Sequence, residues 1–182
     1  MRGERSKMWA AVGVGFLLLL LAGCGGGATN ARDYVRAVCT ATSDWQSDIE
    51  KEAIGLAGSL SGNAGPAEQK QALVGLLQQL TTVTERFADR VESAGTPDIE
   101  GGEEAAGSLR RSLDQLNEAF RDARSQAEDL PTDSQEAFEE AAAEVGETIN
   151  SSVDVLADPF GDQAEQLASV AESEPACKNL QG

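Results

Sequence analysis

The sequence predicts an all-α fold, arranged as an antiparallel four-helix bundle of up-down-up-down order with a short extra C-terminal helix. Three observations predict it. Apolar residues recur at spacings of three and four through four long segments. Stretches containing glycine or proline separate these segments. The connections are short, and short connections favour antiparallel neighbours.

The first helix is expected over about residues 31–60, with Asn30 as its N-cap. The second begins at Pro66, a residue suited to a first helical turn, and runs to about Ser93. The acidic link that follows, to about Gly102, is expected to be exposed. The inward-facing residues of the first two helices are predicted to be Val35, Val38, Thr42, Trp45, Ile49, Ala53, Leu56 and Leu60, then Leu73, Leu76, Leu77, Leu80, Val83, Phe87 and Val91.

The third helix is predicted over about residues 103–130 and stops before Pro131, and the fourth over about residues 133–157. A last short helix follows Pro159 and ends near Ser173. Each long helix carries one aromatic residue at a core position. The inward-facing residues are predicted to be Leu109, Leu113, Leu116, Phe120, Ala123 and Ala127, then Phe138, Ala142, Val145, Ile149, Val153 and Leu156, then Phe160, Ala164, Leu167 and Val170.

The charge of the chain is strongly negative, −17 in total, and unevenly distributed. Between Ser125 and Cys177 there are fourteen acidic side chains and no Lys or Arg. This excludes nucleic acid as a partner, since its phosphates need cationic side chains, and it also excludes a polybasic grip on anionic lipid. A solvated outer face would explain the charge; a docking surface for a cationic partner or a loose divalent-cation site would explain it too. The docking face would comprise Glu136, Glu139, Glu140, Glu144 and Glu147.

The sequence lacks the residues of most catalytic sites. It contains no histidine, which removes the usual general base, the triads built on it and nearly all catalytic zinc sites. No phosphate-binding glycine loop is present, and no pair of carboxylates interrupts an apolar stripe. We therefore expect no enzyme activity, no metal and no cofactor.

The first residues have the pattern of an export signal. Arg2, Arg5 and Lys7 precede an apolar run of fifteen residues, 8–22, which rises only about 22 Å as a helix and is too short to span a bilayer comfortably. The run ends in Leu21-Ala22-Gly23-Cys24, which resembles the lipobox of bacterial lipoproteins.

That resemblance implies three divisions of the chain. Residues 1–23 would be a cleaved signal peptide, and residues 24–30 a lipidated cysteine with a glycine-rich tether. Residues 31–182 would form the bundle domain. Cys24 would carry a diacylglyceryl group and further acyl chains such as palmitate, and two or more chains give durable anchoring.

Cys39 and Cys177 are the remaining cysteines, and an even pair in an exported protein favours a disulfide. The antiparallel bundle predicts the same pairing, because the fourth helix returns to the end where the first helix began. The spacing of the two cysteines is also unlike a redox-active C-x-x-C motif.

The overall layout resembles small helical lipoproteins of high-GC Gram-positive bacteria, through Tyr34-Val35-Arg36-Ala37-Val38-Cys39, the following Trp45 and the late Cys177. The resemblance implies the helical fold and the disulfide, and it implies no activity.

The sequence as a whole favours a non-enzymatic interaction or accessory module, lipid-anchored on the extracytoplasmic face of the cell membrane. Its partners would be the membrane, through the lipid anchor, and cell-envelope proteins or cell-wall material. The alternative is a lipoprotein that holds a small apolar or cationic ligand within the bundle, where Ala123, Ala127 and Ala142 could leave space.

Overall fold

The computed structural model describes residues 28–59, 64–153, 165–178 and 180. Within these residues the chain is almost entirely helical, which confirms the all-α fold class. The elements in chain order are β1 (Ala28–Thr29), α1 (Ala31–Ser59), α2 (Pro66–Ser93), β2 (Thr96–Pro97), α3 (Gly102–Glu128), α4 (Gln135–Val153), α5 (Glu165–Ser173) and α6 (Pro175–Lys178).

Local capping explains where the first two helices begin and end. The side-chain oxygen of Asn30 accepts a hydrogen bond from the backbone N–H of Arg32 at 2.9 Å, as the sequence predicted for an N-cap. At the start of α2 the backbone N–H of Gly65 donates to the carboxylate of Glu68 at 3.3 Å. Just beyond α2, Gly95 has a φ of 80°, the left-handed conformation that commonly ends a helix.

The core is built from the predicted stripes, and α3 matches its prediction most closely. All six predicted residues of α3 are at most 2% exposed, and the core aromatic residue of each of the four long helices is buried as well. The aromatic residues of α1 and α2 meet directly: the rings of Trp45 and Phe87 are stacked with centroids 5.4 Å apart. The indole N–H of Trp45 donates to the hydroxyl of Thr84 at 3.0 Å, so this seam also satisfies its buried polar groups.

The predicted stripe of α1 fails in its last turns. Ala53 is exposed, and the neighbouring Ile54 is 66% exposed. The described elements that pack against α1 are α2, α5, α6 and β2, and the disulfide to α6 lies near the start of α1. The side of α1 that carries Ala53 therefore lacks a covering element within the described ranges. Leu60, Leu156, Phe160 and Ala164, also predicted for the core, lie outside the described residues, as does the side chain of Val153.

The four long helices pack against one another in the order in which they follow along the sequence. α2 packs against both α1 and α3, α4 packs against α3, and α5 and α6 pack against α1. The Nζ of Lys70 on α2 donates to the carbonyl oxygen of Leu130 at 3.0 Å, which fixes the end of α3 against α2. These contacts produce one continuous apolar core that runs through all of the long helices.

A two-stranded parallel pair, absent from the sequence prediction, closes the end of the domain where α1 begins. Ala28 pairs with Thr96 and Thr29 with Pro97. The hydroxyl of Thr29 also donates to the carbonyl oxygen of Ala94 at 2.9 Å. Ala28 and Thr29 are therefore part of the folded domain, although the sequence analysis assigned them to the tether.

The link after β2 is only partly exposed. Asp98 and Glu100 are exposed as expected, but Pro97 and Gly102 are buried. A Cβ at position 102 would overlap the Pro97 carbonyl oxygen, so this close approach requires glycine.

Candidate interaction surfaces

The predicted lipid-attachment site, Leu21 to Cys24, lies outside the described residues, and lipidation of Cys24 stays a prediction. None of the helices within residues 28–59, 64–153 and 165–178 combines the length and apolar character needed to cross a membrane.

The predicted disulfide is present. Cys39 on α1 and Cys177 on α6 are bonded, with their Cα atoms 5.0 Å apart, and both residues are buried. The bond joins positions 138 residues apart and attaches the C-terminal helices to the first helix. This confirms the pairing that the cysteine count and the helical layout predicted.

A buried carboxylate beside the disulfide was not predicted. Glu174, between α5 and α6, is only 4% exposed. Its carboxylate accepts a hydrogen bond from the Nε of Arg36 at 3.2 Å and lies 3.7 Å from the Nε of Arg32. The hydrogen bond with Glu174 and its negative charge raise the pKa of the Arg36 guanidinium. Two arginines of α1 compensate this buried charge, so the cluster holds the C-terminal helices against α1. We call it the Arg32–Arg36–Glu174 clasp.

The five glutamates of the predicted docking face are all exposed on α4. On the other side of the same helix, Phe138 and Val145 are buried against the core. The amide of Gln135 donates to Glu139 at 2.8 Å, and α4 contains no Lys or Arg that could neutralise the face. The structure therefore places the predicted residues on one solvent-facing, single-sign surface, which we call the α4 acidic face.

In contrast to α4, the first three helices carry basic side chains that pair with carboxylates. Arg86 pairs with Asp48 at 3.3 Å and Arg90 pairs with Asp44, both between α2 and α1. Arg121 of α3 pairs with Glu85 of α2 at 2.6 Å. These exposed pairs contribute little stability individually, but each places a positive charge beside one carboxylate of α1 or α2.

A groove of about 850 Å³ runs along the seam between α2 and α3. Its charged lining is predominantly acidic, although Arg110 and Arg121 also contribute. Asn117 is part of the lining yet only 5% exposed, and its Oδ1 has no hydrogen-bond partner. The acidic residues of the lining are Glu85, Asp89, Glu92, Asp114, Glu118 and Asp122.

The three alanines that the sequence analysis named as possible ligand space lie at the core. Ala123 and Ala127 are fully buried, and Ala142 is half-buried against the same core. No group of three or more Asp, Glu or Cys side chains within the described ranges is placed to hold a metal ion. The α4 acidic face and the α2–α3 groove are therefore the two surfaces whose chemistry suggests a partner.

Comparison of the chain with protein-family models, with curated proteins and with solved structures gives no match in any of the three.

Proposed function

We propose that the protein is a lipid-anchored, non-enzymatic interaction module on the extracytoplasmic face of the cell membrane. Cys24 would hold it there through its acyl chains, and the folded domain would bind a cationic surface of a neighbouring envelope protein or of cell-wall material. The Cys39–Cys177 disulfide supports the location, because structural disulfides persist in oxidising compartments outside the cytoplasm.

The proposal includes the arrangement of the helices as an antiparallel up-down-up-down bundle. The packing of α2 on α1, of α3 on α2 and of α4 on α3 supports this order, since sequential helices with short connections become antiparallel neighbours. The bond between α1 and α6 supports a return of the chain to the end where it began.

The observation that carries the proposal is the α4 acidic face. Five exposed carboxylates follow one another on a helix without a single basic residue, whereas Asp44 and Asp48 of α1 and Glu85 of α2 have arginine partners. A surface of one sign steers an oppositely charged partner and weakens as salt screens it. Such a surface needs no catalytic group to act.

The test is charge reversal on this face in living cells. The variant Glu136→Lys, Glu139→Lys, Glu140→Lys should lose at least about tenfold of its crosslinked partner complex, because like charges at a contact cost several kcal/mol. Recovery of the partner by the native chain should also fall as the salt concentration of the wash increases.

A matched control changes the net charge equally at scattered, exposed positions: Glu50→Lys, Asp129→Lys, Glu172→Lys. This control should retain the complex. Equal loss in both variants, or a complex that resists salt and charge reversal alike, would refute docking at the α4 acidic face.

A further inference from the structure

The chain contains three cysteines, which allow three different disulfides. In the structure Cys39 is bonded to Cys177, 138 positions away, whereas Cys24 lies only fifteen positions before Cys39. Loop closure in an unfolded chain becomes less probable as the 3/2 power of the loop length, so chain entropy favours the Cys24–Cys39 pair by about thirtyfold. A contact of the folded chain is therefore needed to bring Cys177 to Cys39 first.

Formation of α1 alone does not prevent the competing pair. Before β1 pairs with β2, the chain from Cys24 to Ala31, seven positions later, spans at most about 24 Å when fully extended. Cys39 lies about 12 Å along α1 from Ala31, the first residue of that helix. The segment before α1 is thus long enough to return Cys24 to Cys39, and the native pairing depends on how soon α6 docks on α1.

The Arg32–Arg36–Glu174 clasp lies beside the disulfide, and the spacing of charge and sulfur is the same on both partners. On α1, Cys39 follows Arg36 by three positions; Glu174 immediately precedes α6, and Cys177 follows it by three positions. Residues three apart on a helix are neighbours on one face. The backbone N–H of Cys177 also donates to the carbonyl oxygen of Glu174 at 3.1 Å, which closes that turn. An ion pair between Arg36 and Glu174 therefore brings the two cysteines opposite each other.

The clasp orients the C-terminal helices as well as attracting them. The Nε and Nη2 atoms of Arg36 donate to the two carboxylate oxygens of Glu174 at 3.2 and 3.4 Å, and the Nε of Arg32 lies 3.7 Å from the same carboxylate. A two-point contact of this kind sets the orientation of its partners in addition to their distance. Because the clasp contains no sulfur, it can form before the cysteines are oxidised.

We propose that the clasp docks α6 on α1 while the cysteines are still thiols, and so directs Cys177 rather than Cys24 to Cys39. In the oxidation, the thiolate of Cys39 or Cys177 attacks a small-molecule disulfide and releases one of its two thiols. The other thiolate then attacks the mixed disulfide and releases the second thiol. The two cysteines lose two protons to water and two electrons to the oxidant, and the clasp residues only position them. Cys24 stays a thiol, and its use for acylation rests on the proposed function.

The experiment oxidises the full chain, reduced and not acylated, with oxidised glutathione in neutral detergent, and identifies the pairs by mass spectrometry of acid-quenched digests. The native chain should form mainly Cys39–Cys177. Glu174→Gln should lower the ratio of this pair to the pairs that contain Cys24 about tenfold or more, because charge-assisted hydrogen bonds are lost. In concentrated urea both chains should form mainly Cys24–Cys39, since only loop length then decides.

Glu172→Gln is the matched control, since it removes an exposed carboxylate two residues away and should leave the ratio within about twofold. Arg36→Gln should lower the ratio as well, and it keeps the test valid if Glu174→Gln does not fold. Combining Arg36→Gln with Glu174→Gln should lower the ratio no further than Glu174→Gln alone, because both remove the same contact.

Hydrogen exchange of the reduced chains separates positioning from a general loss of stability. In Glu174→Gln the amides of α5 and α6 should exchange faster than in the native reduced chain, while the amides of α2, α3 and α4 should be unchanged. The C-terminal helices would then be undocked from an otherwise folded domain.

Four results would overturn the proposal. The first is a native chain that forms mainly Cys24–Cys39, and the second is native pairing in Glu174→Gln. The third is an equal loss in Glu172→Gln, which would mean that total charge alone matters. The fourth is additive loss in the double variant, which would mean that Arg36 and Glu174 act separately. None of these results bears on acylation of Cys24 or on partner docking at the α4 acidic face.

Discussion

The burial of a single residue, Tyr34, makes the stability of the folded protein depend on pH. It is the only tyrosine of the chain, it is 1% exposed, and its hydroxyl has no hydrogen-bond partner. Burial raises the pKa of its phenol above the ordinary value of 10.0, and the positive charge of Arg110 offsets part of that increase. The folded protein therefore keeps the phenol protonated at pH values where the unfolded chain has begun to lose the proton.

The difference in the pKa of Tyr34 between the folded and the unfolded chain determines how the stability of the protein changes with pH. The contribution of Tyr34 to stability is complete below pH 10, and it is lost as pH rises toward the higher pKa of the folded state, because deprotonation favours the unfolded chain. Urea unfolding at several alkaline pH values should show this loss, while the phenolate absorbance of the folded protein develops only above pH 10.

Tyr34→Phe is the matched control for this prediction. It removes an unpartnered hydroxyl, so stability at neutral pH should change by less than about 1 kcal/mol, and the loss above pH 10 should become shallower. A phenol that ionises at its ordinary pKa in the folded protein, or an alkaline loss that is unchanged in the variant, would contradict the argument.

The buried polar residues of the core show what a sequence pattern can and cannot predict about a single residue. Thr84 and Asn117 are buried in the register of their apolar neighbours, at positions where a helix stripe admits a fourth residue per two turns. The register of these two residues could have predicted that they are buried. It could not have predicted their hydrogen bonds, because Thr84 finds its partner on another helix and the Oδ1 of Asn117 has none. Glu174 lies between two short helices and carries no periodic signal at all.

At the scale of elements, the Cys39–Cys177 disulfide determines whether the C-terminal helices stay attached. α5 and α6 contain only nine and four residues, and helices of that length are marginal alone. A bond that closes a loop of 138 residues stabilises by about 5 kcal/mol in the chain-entropy model, and often by less.

Replacement of both cysteines by alanine should therefore lower the unfolding free energy by about 2–5 kcal/mol. The loss should show as a lower urea midpoint followed by circular dichroism. Hydrogen exchange should increase most in α5 and α6, because among the described contacts the Arg32–Arg36–Glu174 clasp and apolar packing would be left to hold them. An unchanged midpoint with unchanged exchange in these helices would show that the disulfide is dispensable.

The helices themselves were predictable because several independent signals coincide at their ends. Asn30, Pro66 and Gly95 each mark a boundary by a separate physical cause, and the stripe of α3 is regular throughout. The parallel pair of β1 and β2 was not predictable, because two residues cannot show an alternating pattern. The exposed Ala53 was not predictable either, since periodicity tells which face is apolar and not how far a partner covers it.

At the scale of the whole molecule, the parallel pair would limit how far the domain could stand from a membrane if Cys24 is acylated as proposed. The tether predicted from the sequence reaches residue 30, but pairing of Ala28 and Thr29 with β2 shortens the free part. If Cys24 is acylated, the chain from Cys24 to Ala28 spans at most about 14 Å when fully extended. The end of the domain that carries β1, β2 and the link to α3 should then face the bilayer.

This orientation can be tested with a photo-crosslinking residue at one of two exposed positions, Glu100 before α3 or Asp129 after it. The 27 residues of α3 separate the two ends by about 40 Å, so lipid should crosslink at position 100 and not at position 129. Insertion of about ten Gly and Ser residues before Ala28 is the control, because a tether longer by about 17 Å in its average conformation should abolish the difference between the two positions. Equal crosslinking at both positions with the native tether would mean that the domain lies along the membrane or leaves it freely, and its α4 acidic face would then need no fixed height to reach a partner.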